Sequence, residues 1–178
     1  MIKDSIALIG FMAAGKTVIG KKLAKDLGND YKFVETDHII TELAGKSIIR
    51  IFKEDGEQKF RELESKACKK VSKLRKAVIS CGGGVALNKE NIIYLKGNCL
   101  IILLNASFDE LYDRIMRNGK EKRPLIDKND PKKEIAKILQ YRQPFYIAAA
   151  DIIIDTISKK INDVVDEIIT KIMEYQSN

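Results

Sequence analysis

Several things are scarce in this chain of 178 residues, and each scarcity excludes something. There are three cysteines, Cys68, Cys81 and Cys99, with no C-x-x-C spacing, so neither a disulfide framework nor a zinc site follows. Cys81 and Cys99 sit in apolar runs and read as buried thiols, and Cys68 reads as the inner face of a helix. The single histidine, His38, cannot build a metal cluster alone and reads as structural. Long apolar runs are missing too: stretches such as Cys99 to Leu104 are far too short to cross a bilayer. The N-terminus lacks the apolar length and small-residue cleavage site of a signal peptide, so the expected location is the cytoplasm, without a membrane partner. No Pro- or Ser-rich linker and no internal repeat divides the chain. Residues 1–178 are therefore expected to form a single domain, long enough to bury a hydrophobic core.

Apolar residues make up 45% and charged residues 32%, the balance of a soluble globular protein. Net charge is +7, from 32 Lys and Arg against 25 Asp and Glu. Nucleic acid and anionic small molecules are both candidate partners for such a charge. The lysines are scattered along presumed helix faces and no nucleic-acid motif is present, so the expectation is a solvated surface and no nucleic-acid partner.

Short apolar runs alternate with amphipathic stretches throughout. Ile6 to Ile9, Tyr31 to Val34, Ala77 to Cys81, Leu100 to Leu104 and Ile152 to Ile154 read as buried strands. Gly15 to Leu27 reads as a helix with Ile19, Leu23 and Leu27 on one face, stopped by Gly28. Helices are also expected over His38 to Leu43, Ile48 to Phe52, Gly56 to Leu74, Asn88 to Leu95, Phe108 to Met116, Pro131 to Ala148 and Ile161 to Tyr175. Alternation of this kind predicts an α/β fold, a parallel sheet flanked by helices on both faces. Two segments depart from it. Residues 37–75 put several helical pieces between two strands and read as a substrate-binding insertion. Residues 118–130 are polar and poor in apolar side chains and read as a mobile lid.

The most informative segment is Gly10-Phe11-Met12-Ala13-Ala14-Gly15-Lys16-Thr17, which fits G-x-x-x-x-G-K-S/T between a strand and a helix. Backbone amides of such a loop can converge on phosphate oxygens, and the helix that follows points its positive end at the same anion. Gly10 and Gly15 permit the turns, Lys16 brings a mobile full charge, and Thr17 offers a hydroxyl to Mg²⁺. ATP is thus expected to contact Gly10, Ala13, Ala14, Gly15, Lys16, Thr17 and Val18. The chain has no Asn-Lys-x-Asp motif for guanine, and strand three lacks a terminal Asp. A second protein contact for Mg²⁺ must lie elsewhere. Glu35 and Asp37, at the end of strand two, are placed for it; the alternative is that Thr36 or Asp37 caps the next helix.

Taken in order, these residues resemble the shikimate kinase family over nearly the whole chain. The resemblance is carried by Gly-Phe-Met-x-x-Gly-Lys from Gly10, Glu35-Thr36-Asp37, Phe60-Arg61-Glu62-Leu63-Glu64 preceded by Asp55-Gly56-Glu57, Gly82-Gly83-Gly84-Val85, Arg123-Pro124-Leu125, and Tyr141-Arg142-Gln143-Pro144-Phe145-Tyr146. It implies a P-loop fold of the nucleoside-monophosphate-kinase type and Mg²⁺-dependent transfer of the ATP γ-phosphoryl group to the 3-hydroxyl of shikimate. Lys16, Asp37 and Arg123 would be catalytic. Asp37 would hold the ring hydroxyls, Arg61 and Arg142 the carboxylate, and Gly83 would offer its N–H. Glu64 would orient Arg61, and Arg123 would close with the lid onto the phosphates. Glu35, where the family has Asp, would reach Mg²⁺ through water. An arginine before the lid, Arg114 or Arg117, would lie by adenine, as would Lys159 in the loop Thr156 to Lys160. ATP and shikimate are then the implied partners of a monomer. Without the resemblance, Arg61 could equally pair with Glu57 on the surface and Arg142 could be ordinary helix surface.

Overall fold

The computed structural model describes residues 3–117 and 130–177. Five strands, β1 (Ser5–Ile9), β2 (Lys32–Glu35), β3 (Ala77–Ser80), β4 (Cys99–Asn105) and β5 (Ile152–Asp155), form one sheet in the order β2-β3-β1-β4-β5. Every pairing is parallel, with Ala7 at the centre between Ile79 and Ile101. β1, β3 and most of β4 are buried, which is why they read as continuous apolar runs instead of alternating ones. From the adjacent strands β1 and β3 the chain departs in opposite directions, toward β2 and toward β4. A crevice opens beyond the carboxyl ends of such a pair.

Between β1 and β2 runs α1 (Lys16–Asp26), which buries Ile19, Leu23 and Ala24. Gly20 lets it lie close to the sheet: a Cβ there would stand 2.6 Å from the Phe33 ring. α2 (Thr36–Ala44), α3 (Ile48–Glu54) and α4 (Gly56–Val71) fill the stretch between β2 and β3. Their inner faces form an apolar cluster of Ile40, Ile51, Phe60, Leu63 and Ala67, distinct from the main core around the sheet. After β3 comes a 3-10 turn, Val85–Leu87, and α5 (Lys89–Lys96); after β4 comes α6 (Phe108–Arg117). α7 (Pro131–Ala149) starts with Pro131 in its first turn and an Asp130 side chain that accepts from Lys133 N, and α8 (Ile161–Ser177) closes the fold.

The predicted elements are all present, with ends shifted by up to three residues. One shift matters: α2 begins at Thr36, not His38, so Asp37 is helical and not part of an extended strand end. The 3-10 turn at Val85–Leu87 was not foreseen, because three residues carry no periodicity. Cys68, Cys81 and Cys99 are free and buried, as expected. Apart from Asp130, the proposed lid, with Arg123, lies outside the described residues.

Candidate active site

The phosphate loop joins β1 to α1 at the crevice. Gly10 has φ 139° and packs so closely on β4 that a Cβ would come 2.6 Å from the Leu104 carbonyl oxygen. Gly15, the residue before α1, is left-handed at φ 95°. Ala13 is also left-handed, at φ 62°, without the freedom of glycine; for an L-residue that conformation costs roughly 1–2 kcal/mol. The first helical bond of α1 is Ile19 N to Gly15 O at 2.9 Å, so the amides of its first turn face the loop. The Val18 side chain is exposed, which leaves its backbone N–H as the group that could meet a phosphate. Lys16 Nζ donates to Gly10 O at 2.9 Å and Phe11 O at 2.8 Å, which folds its charge back over the loop.

A cavity of about 580 Å³ extends from this loop. Its walls include Met12 through Ile19, Glu35, Asp37, Gly82, Gly83, Arg114, Thr156 and Lys159. Thr17 Oγ1 donates to Glu35 Oε1 at 2.6 Å. These are hard oxygen donors side by side at the phosphate end. Among the described residues no group of three or more His, Cys, Asp or Glu could hold a metal. The paired oxygens of Thr17 and Glu35 would suit Mg²⁺, which takes few protein ligands and completes its shell with water and substrate phosphates.

Of the two candidate arginines, Arg114 lines this cavity and Arg117 does not. Arg114 Nη1 lies 3.5 Å from Ala13 O, whereas Arg117 turns back onto its own helix at Asp113 O. Lys159 reaches the cavity while paired with Glu167 at 2.5 Å. Its loop is tied down by the buried Thr156, whose hydroxyl donates to Asn105 O at 3.0 Å, and by Glu110 of α6, whose Oε1 accepts from Ser158 N at 2.9 Å.

The glycine loop after β3 separates this cavity from a smaller one of about 290 Å³, whose walls include Arg61, Arg142, Leu87 and Tyr141. Arg61 is held twice, by Glu57 through Nη2 at 2.8 Å and by Glu64 through Nη1 at 2.9 Å. The surface pairing with Glu57 is therefore real, but so is the buried one. The Glu64 side chain is 1% exposed, and its Oε1 has no hydrogen-bond partner among the described residues. Burial pushes the Glu64 carboxyl above its ordinary range; the Arg61 guanidinium opposes that shift without cancelling it. Arg142 is 6% exposed, not helix surface, and its Nη1 donates to Gly83 O at 3.2 Å. Tyr146, one turn along α7, donates its hydroxyl to the same oxygen at 2.5 Å.

Two of the three glycines, Gly82 and Gly84, are required by contact, while Gly83 has room for a Cβ. A Cβ on Gly82 would stand 2.8 Å from Asp37 Oδ1 and 3.3 Å from Glu64 Oε1. One on Gly83 would lie 3.6 Å from both Met12 N and Arg142 Nη1, and one on Gly84 would fall 2.0 Å from Arg61 Nη1. The loop thus touches the phosphate loop, the acidic residues and both arginines. Thr36 does not cap α2; its hydroxyl accepts from Gly82 N at 2.8 Å and ties the β2–α2 junction to the same loop. Nor does Asp37 cap: the residue before α2 is Glu35, and it makes no side-chain cap bond. Sequence reasoning passed over Tyr146, Thr36, Gly84 and Glu110 as site residues. Only Tyr146 had a usable signal, its i+4 spacing from Arg142 on one helix face.

Comparison with known proteins agrees with this arrangement. Residues 12–173 match the family model described as shikimate kinase. The chain is 42% identical over 165 residues to a shikimate kinase of Caldanaerobacter subterraneus subsp. tengcongensis, covering 93% of this chain and 94% of that one. A shikimate kinase of Dehalococcoides mccartyi is 39% identical, with 99% and 97% covered. Among solved structures, shikimate kinase from Acinetobacter baumannii in complex with shikimate superposes with a TM-score of 0.91 at 28% identity, covering 98% of this chain and 96% of that one. A gluconokinase from Sinorhizobium meliloti, at TM-score 0.63 and 16% identity, shares the fold alone. With its family motifs assembled around one glycine loop and its likeness running end to end, this chain belongs to the shikimate kinase family.

Proposed function

We propose that the protein transfers the γ-phosphoryl group of ATP to the 3-hydroxyl of shikimate, giving shikimate 3-phosphate and ADP. The observation that carries this reading is the glycine loop, with a phosphate-binding cavity on one side and two anchored arginines on the other. An anionic acceptor of modest size fits the second side, since guanidinium groups bind a carboxylate through paired N–H bonds. Arg61 and Arg142 hold the carboxylate there. Asp37, against Gly82 on the wall of the larger cavity, orients the attacking hydroxyl, and Gly83 N–H adds a further contact.

The hydroxyl oxygen bonds to the γ-phosphorus as the bond to the β-phosphate oxygen breaks, and the hydroxyl proton leaves toward Asp37 or solvent. Little covalent work falls to the protein, so positioning and charge dominate. Lys16 and the first-turn amides of α1 hold the β- and γ-phosphates. Thr17 would hold Mg²⁺ directly and Glu35 through water, and the ion would supply neutralisation of the phosphate charge. By its likeness to the family, Arg123 would serve the phosphates, and a lid at 118–130 would exclude water and so favour transfer over hydrolysis. Arg114 and Lys159 flank adenine. Residues 37–75 act as the acceptor-binding insertion of a single domain.

We further propose that the protein works as a cytoplasmic monomer and that its +7 charge serves no nucleic acid. No helix among the described residues is long and apolar enough to cross a membrane. Many basic side chains are spent in local ion pairs such as Lys22–Asp26 and Arg50–Glu54. The deciding experiment is coupled ADP release with shikimate, gluconate and nucleoside monophosphates as acceptors. Turnover with shikimate alone is expected; preference for either of the others would overturn the reading.

A further inference from the structure

The glycine loop contains a turn that can adopt two states. Val85 N donates to Gly82 O at 3.1 Å, closing four residues with Gly83 and Gly84 at the centre. Gly84, at φ −98° and ψ −11°, has the geometry of the third residue of a type I turn. With glycine at both central positions, the peptide between them can rotate to the type II arrangement at little steric cost. That rotation reverses the Gly83 carbonyl. Two side chains of α7 oppose it, Tyr146 through its hydroxyl at 2.5 Å and Arg142 through Nη1 at 3.2 Å.

The two are not equivalent. Arg142 is a cation on the wall of the acceptor cavity. Tyr146 is 3% exposed and is not among the residues lining that cavity. Burial pushes its hydroxyl up to about 12, so it stays a donor at neutral pH. A carbonyl oxygen has two lone pairs, and here each has a donor. We propose that Tyr146 is a positioning residue for the acceptor: its hydroxyl keeps the Gly83 carbonyl, and with it the glycine turn, in place while Arg142 is released to the acceptor carboxylate. This rests on the shikimate reading above. Without that hydroxyl, turning Arg142 Nη1 to the carboxylate would leave a half-buried carbonyl with neither of its side-chain donors, or let the peptide rotate. The penalty falls on acceptor binding and spares the nucleotide.

The test compares Tyr146→Phe with wild type, using shikimate and its neutral hydroxymethyl analogue, which does not draw Arg142 away. The variant should raise KM for shikimate about tenfold, as expected for a carbonyl acceptor that loses its donors, with KM for ATP and kcat within about twofold of wild type. Affinity for the hydroxymethyl analogue should be the same for both proteins. An unchanged KM for shikimate overturns the proposal, and so does an equal loss for both acceptors, which would leave Tyr146 a packing residue. Wild type that fails to phosphorylate shikimate overturns the functional reading and the proposal together; wild-type turnover with an unaffected variant overturns the proposal alone. A measurement on unmutated protein guards against a variant that does not fold. The Tyr146 hydroxyl proton should remain visible by NMR when shikimate is added, and its loss on addition would count against the proposal.

Discussion

Glu35 and Asp37 show how two carboxylates, one residue apart from adjacency, come to different work. An extended backbone would aim both the same way, but α2 starts at Thr36. Glu35 ends its strand against the Thr17 hydroxyl, whereas Asp37 lies in the first helical turn against Gly82. Asp37→Asn should therefore lower kcat far more than Glu35→Gln, by roughly 10²-fold if it misplaces the attacking hydroxyl. Glu35→Asp should be nearly neutral, since water can adapt to a shorter arm. Measuring kcat at saturating ATP, Mg²⁺ and shikimate decides this; a worse Glu35→Gln would exchange the two roles. Arg61 and Glu64 form a second pair whose members do different things. Glu64 has a raised pKa in the fold, so its contribution to stability is greatest below the ordinary value of 4.5 and is lost as pH rises through the folded value. Arg61 limits that loss. Arg61→Ala should raise KM for shikimate and also destabilise, increasingly so toward neutral pH. Adding Glu64→Gln should recover the melting temperature but not the KM. Equal destabilisation across the pH range would show that Glu64 is not the source.

At the level of elements, apolar periodicity located every described strand and α-helix, though not the 3-10 turn, because burial on one face or both is written directly into residue order. The site was legible only where chemistry is local in sequence. The phosphate loop is eight consecutive residues, and its geometry follows from its glycines and the helix behind it. The acceptor side is assembled from α2, α4, the glycine loop and α7, and residue order alone does not show which atoms meet. Gly84 is the clearest case: in the sequence it is one of three glycines, while in the fold it is the floor beneath a guanidinium. Gly84→Ala places a methyl 2.0 Å from the present position of Arg61 Nη1, so the arginine must move. KM for shikimate should rise by an order of magnitude or more, taking about 1.5–3 kcal/mol for a lost charged hydrogen bond, while KM for ATP stays near wild type. Matching losses for both substrates would instead mean that the loop itself had shifted.

At the scale of the whole molecule, the described residues form one sheet and two apolar clusters of unequal size, the smaller carried by α2, α3 and α4. Small clusters open more readily than the core on which they sit. The three thiols offer a way to observe this. Cys68 lies on α4 facing the main core, Cys81 just after β3 and Cys99 at the start of β4, and all are buried. Burial raises each thiol's pKa, that of Cys99 to about 12, so thiolate is scarce as well as shielded. A thiol reagent should leave the closed protein untouched and react only when a segment opens. The native chain thus carries three clocks, each wound by a different part of the fold. Cys68 should be labelled first, at a rate set by the helical layer around it, and Cys99 should wait for the sheet itself to come apart; simultaneous labelling would mean that the molecule opens as a single piece.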